Sequence, residues 1–130
     1  MISFLFIVAC GDKNADTGMI DDGLSSPATF TMVQEELFKP SCSFSSCHGT
    51  AAGYFLLDGE SDYDNLVNKE SANQSGAILV IPNDVENSYL FRKCVSGDNI
   101  TGDIMAPSIG ISERQEALLR SWIENGAQNN

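Results

Sequence analysis

Cys42-Ser43-Phe44-Ser45-Ser46-Cys47-His48-Gly49 is the stretch on which the reading of this chain turns. His48 is the only histidine in 130 residues, and Cys42 and Cys47 are two of four cysteines. Two thiols beside one imidazole have several uses. Cys42 and Cys47 can close a disulfide, which an exported protein permits. So short a loop contributes only about 2 kcal/mol in the chain-entropy model, and it gives His48 no part. Cys42, Cys47, His48 and Cys94 can alternatively supply a zinc site of three cysteines and one histidine, although adjacent residues 47 and 48 are awkward ligands for one tetrahedral ion.

A third use accounts for the whole group. Two cysteines followed at once by histidine form the attachment pattern of haem c, here with four residues between the cysteines where two are usual. Each thiol adds to a haem vinyl group, and His48 then falls beneath the iron as its proximal ligand. Gly49 lets the backbone pass close to the ring. With one histidine in the chain, a second ligand must be of another type, and methionine is the common choice for an electron-transfer haem. Met1 and Met19 lie outside the expected domain, and Met32 is too near the motif to reach the opposite haem face. Met105, followed by Ala106-Pro107 in a long loop, is the expected ligand.

Outward from this site, the chain reads as short helices joined by long loops. Thr31 and Gln34 have capping-box spacing, Phe30, Val33, Leu37 and Phe38 share a helical face, and Pro40 is expected to end that helix. A second helix is predicted over residues 62–68, with Ser61 and Asp64 at capping spacing. Residues 77–81 are apolar and extended. A third helix is predicted from Asn83 to about Cys94, bearing Tyr89, Leu90 and Phe91. Residues 97–110 form a loop with several breakers. The last helix is the clearest: Ser112 caps it, Gln115 closes the box, Leu118, Leu119, Trp122 and Ile123 form the buried stripe, and Gly126 stops it.

Residues 2–9 are apolar apart from Ser3 and end at Ala9-Cys10. Such a run is too short to span a bilayer, which takes roughly 20 residues. It reads as the end of a secretory signal peptide over residues 1–9, truncated at its start. Ile7-Val8-Ala9-Cys10 resembles a bacterial lipobox, which implies that Cys10 becomes the lipid-modified N-terminus. Residues 10–28 are rich in Gly, Ser and Asp and read as a flexible acidic spacer. The domain is expected over residues 29–127, with 128–130 as a tail.

Within that domain the sequence resembles the class I c-type cytochromes, in particular those attached to bacterial envelope lipoproteins. Cys47-His48-Gly49 resembles the family's attachment site. Ile81-Pro82-Asn83-Asp84 with Asn87-Ser88-Tyr89-Leu90 resembles its middle segment, and Met105-Ala106-Pro107 its methionine loop. Ile111-Ser112, Trp122-Ile123 and Gly126-Ala127 resemble its closing helix. The resemblance implies an all-α fold around one covalent haem c, with crossing N- and C-terminal helices. It implies thioethers at Cys42 and Cys47, and iron held by His48 and Met105.

The function expected is single-electron transfer in the cell envelope, on the periplasmic side and lipid-anchored, more at the outer than the inner membrane. With both axial positions filled, the iron has no place for a substrate, so a carrier is expected and not an enzyme. Composition agrees: 42% of residues are hydrophobic and the net charge is −11, from 18 acidic and 7 basic residues. Such a charge disfavours nucleic acid and anionic membrane surfaces and favours a redox partner with a basic patch. Membrane contact is expected through the lipid anchor alone. Two other classes stay open: a haem-free binding or structural lipoprotein with a Cys42–Cys47 disulfide, and a haem module that senses gas or redox state. Cys94 has no role in the haem reading; a buried free thiol and a partner for another chain both stay open.

Overall fold

The computed structural model describes residues 24–44, 47–49, 55–105 and 110–130. The expected signal peptide, Cys10, most of the spacer and the Ala106-Pro107 pair lie outside the described residues. Among the described residues the regular structure is helical, with three isolated β-bridges and no strand. No helix among them is long and apolar enough to cross a membrane.

The first helix, α1, spans Phe30–Val33 and continues without a break through a wide, π-type turn over Gln34–Cys42. Its cap is Thr29, whose hydroxyl accepts from Met32 N–H at 3.2 Å, and not the Thr31–Gln34 pair that the spacing suggests. The structure also corrects the expected end at Pro40. Proline lacks an N–H and its ring strikes the carbonyl four residues back in an α-helix. Here the winding widens, so that Ser43 N–H reaches Phe38 O at 2.8 Å, five residues back, and the helix passes Pro40 to end at Cys42. Such wide turns recur at functional sites.

The second helix, α2, covers Asp62–Leu66. Its entry is built by Asp58, whose carboxylate accepts from Ser61 N–H and Ser61 Oγ at 3.0 Å each, and not by a Ser61–Asp64 box. The third helix starts later than its sequence suggests. Ser88 Oγ accepts from Ile81 N–H at 2.9 Å and donates to Asp84 O at 2.7 Å, which holds residues 81–88 in tight turns. Asn83, the expected start, takes φ 65°. Helix α3 therefore covers Tyr89–Phe91 and widens over Arg92–Ser96 before Gly97 ends it at φ 71°.

Helix α4, Glu113–Glu124, matches its sequence reading: both bonds of the Ser112–Gln115 capping box are present, and Leu118, Leu119, Trp122 and Ile123 are buried. It packs on α1. The Phe30 and Trp122 rings lie 5.1 Å apart, and Phe30 also meets the edges of Tyr63 and Phe38 at 5.3 and 6.3 Å. Arg114 grips the Glu36 carboxylate at 2.6 and 3.0 Å, and Gln115 Nε2 donates to Glu36 O and Ser41 Oγ at 2.8 Å each. The ion pair is half exposed and contributes little, while the shared apolar core supplies most of the association. Residues 128–130, read from sequence as a tail, are hydrogen-bonded to the fold: Asn130 O accepts from Thr31 N–H at 3.0 Å and Gln128 O from Trp122 Nε1 at 2.9 Å.

Candidate functional site

The α1 extension ends at Cys42, and the chain then turns back on itself. His48 N–H donates to Cys42 O at 3.1 Å, while Cys47 and Gly49 N–H both donate to Phe44 O at 2.9 Å. These bonds bring the backbone around Cys47 and His48 back against that of Cys42 and Phe44. Gly49 is needed for this closure. A Cβ there would stand 2.2 Å from Ser43 O, so the close neighbour that demands glycine is the loop's own carbonyl.

His48 is buried, at 8% exposure. Its Nδ1 lies 2.9 Å from Phe55 O, and the Phe55 ring stacks on the imidazole with centroids 4.5 Å apart. A carbonyl only accepts, so Nδ1 carries a proton, and in the neutral ring Nε2 is then the nitrogen with the lone pair. That is the arrangement in which a histidine is readied for a metal. Leu57 N–H, donating to His48 O at 2.8 Å, ties the same residue to the wall of the site.

Cys42, Cys47, His48 and Met105 all line one cavity of about 370 Å³. Its walls are mostly apolar, with Phe38, Leu57, Leu66, Leu79, Tyr89 and Leu90 among them, and its volume is typical of a small-molecule or cofactor site. The fold thus brings Met105 to the same cavity as the clustered Cys42, Cys47 and His48. Met105 is also partly buried against the core, so it has a packing role that its loop position does not suggest. Cys10, the fifth expected site residue, lies outside the described residues.

Cys94 and Lys93, to which the haem reading gives no part, also line the cavity. Cys94 carries a buried thiol, and Lys93 is buried at 6% exposure with its ammonium facing loop carbonyls. The signal for Lys93 is present in the sequence: it falls four residues after Tyr89 and three after Leu90, on the buried face of α3. Burial, and secondarily the neighbouring Cys47, push the Cys42 thiol up to about 12. Burial, and secondarily Cys42, push Cys94 up to about 12 as well, opposed by the charge of Lys93. Both are therefore neutral thiols near pH 7, and slow to oxidise.

The residues fit a haem. An apolar macrocycle requires apolar walls, two thiols, an imidazole nitrogen with its lone pair available, and a soft second ligand, and each is present around the cavity. The zinc alternative fits less well, because no three His, Cys, Asp or Glu side chains among the described residues converge as a metal cage. No protein-family model matches this chain, and no curated protein or solved structure is significantly similar to it.

Proposed function

We propose that this domain is a monohaem c-type cytochrome that passes single electrons between proteins of the bacterial cell envelope. The observation that carries this reading is the convergence of Cys42, Cys47, His48 and Met105 on one apolar cavity. When bound there, haem supplies an iron that alternates between ferrous and ferric states. Cys42 and Cys47 would hold the haem covalently through thioethers to its vinyl groups. His48 offers Nε2 to the iron, oriented by its bond to Phe55 O. Met105 would hold the iron through its thioether sulfur, a ligand that favours the less charged ferrous form. The apolar walls exclude water and act in the same direction.

His48 and Met105 together would hold the iron and leave it no place for a substrate, which favours an electron carrier over an enzyme. A net charge of −11 supports a redox partner with a basic docking patch. Attachment at Cys10 would hold the domain at the membrane, with the acidic spacer as tether. A reduced-minus-oxidised spectrum of the protein from cells with cytochrome c maturation machinery tests the reading. A low-spin c-type spectrum is expected. A colourless folded protein with Cys42 joined to Cys47 would favour the haem-free lipoprotein instead.

A further inference from the structure

Lys93 is the one lysine buried among the described residues, and it sits between α3 and the segment that carries Met105. Its ammonium donates to Thr101 O at 2.8 Å and to Asp103 O at 2.5 Å. Its own backbone carbonyl accepts from Met105 N–H at 2.6 Å. One residue thus grips the 101–105 segment at three points. No carboxylate among the described residues pairs with it, so these loop carbonyls are its main compensation for burial. A lysine sequestered at such a cost, lining the same cavity as Met105, requires an account that solubility does not give.

We propose that Lys93 is the positioning residue for Met105, a strut that holds the methionine segment against α3 so that its sulfur faces the cavity before any metal arrives. The inference rests on the haem reading above for the purpose of the strut, and on the three bonds for the strut itself. A methionine on an untethered loop would have to be ordered by the iron–sulfur bond alone, and that weak bond would open readily. Tyr89 assists, its hydroxyl accepting from Thr101 N–H at 3.2 Å. Lys93 touches neither metal nor ligand sulfur in this role; it acts through the backbone.

The test compares wild-type protein with Lys93→Met, which keeps the length of the side chain and removes its donors, and with Lys93→Arg, which restores donors. In the haem-bearing proteins, Lys93→Met is expected to lose the sulfur-to-ferric-iron charge-transfer band and to bind carbon monoxide when reduced, while covalent haem content stays at the wild-type level. Lys93→Arg is expected to recover the band. A Lys93→Met protein that keeps the band and excludes carbon monoxide would overturn the proposal. A second measurement needs neither haem nor a variant that folds. In haem-free wild-type protein the Met105 amide should exchange with solvent at least about tenfold more slowly than an open loop amide. Free exchange there would overturn the strut. Wild-type protein without covalent haem would instead sink the cytochrome reading, and the amide measurement would still decide the strut.

Discussion

His48 Nδ1 lies 2.9 Å from the carbonyl oxygen of Phe55, and the Phe55 ring stacks on the same imidazole. Two contacts from one residue fix both the proton and the plane of the histidine. The bond assigns the proton to Nδ1, and the ring limits rotation about the side chain. His48 also lines the cavity, so an imidazole already held by Phe55 is presented to whatever binds there. His48→Ala should therefore abolish the low-spin spectrum of the haem-bearing protein. Survival of that spectrum would show that another group holds the iron.

Met105 is expected to govern the other face. Met105→Ala should keep covalent haem, lower the reduction potential and let the reduced iron bind carbon monoxide. Potentiometric titration and a carbon monoxide difference spectrum read both effects. An unchanged potential with no ligand binding would remove Met105 from the site.

Gly49 tests the attachment loop independently of the metal. A methyl group at this position would meet Ser43 O at 2.2 Å, far inside any tolerated contact, so the backbone must shift. Gly49→Ala should cost on the order of 1–3 kcal/mol of stability by overpacking and should reduce the yield of attached haem. Denaturant melts of the haem-free protein measure the first effect. An unchanged midpoint would show that the loop adapts freely.

The buried thiols give the haem-free protein a pH signature. Cys94 ionises near 9.0 in an exposed setting and near about 12 in the fold, so the folded state binds more protons between those values. Its contribution to stability is complete below about pH 9 and declines as pH rises toward 12. The decline amounts to at most ~4 kcal/mol over the whole interval, by the usual conversion of a pKa shift. Cys94→Ala should lower stability at pH 7 through the space it leaves, and should flatten the alkaline slope. Melts at a series of alkaline pH values check the sign. An identical slope in the variant would show that Cys94 does not titrate with unfolding.

Encounter with a redox partner should depend on salt. The acidic excess favours long-range attraction to a basic surface, and screening lengths shorten to about 8 Å at physiological ionic strength. Electron-transfer rates with a basic partner should fall as salt rises from low values. A rate independent of salt would exclude electrostatic steering.

Helix α4 was legible in the sequence because every local signal agreed: the Ser112–Gln115 box, the apolar spacing of Leu118 to Ile123 and the stop at Gly126. That Cys42, Cys47 and His48 share one site was legible because they lie within seven residues of one another. The misread positions are those where tertiary contacts overrule local pattern. Thr29 displaces Thr31 as cap, and a widened turn carries α1 past Pro40. The start of α3 moves from Asn83 to Tyr89 because Ser88 Oγ claims the backbone groups of Ile81 and Asp84. The spacing of Lys93 from Tyr89 and Leu90 puts it on the buried face of α3, but its charge outweighs that signal in the sequence. A lysine within a helix reads as solvated until the 97–105 segment folds back over it, and no local pattern announces that return.

The most direct measurement is the haem content of the denatured polypeptide. The chain is produced with a complete signal sequence in cells that attach haem c, then run on a denaturing gel and stained for haem. The expected result is haem that stays with the chain and is lost when Cys42 and Cys47 are both replaced by alanine. A denatured wild-type chain without haem, from cells that mature a control cytochrome, would contradict the assignment of this domain as a c-type cytochrome.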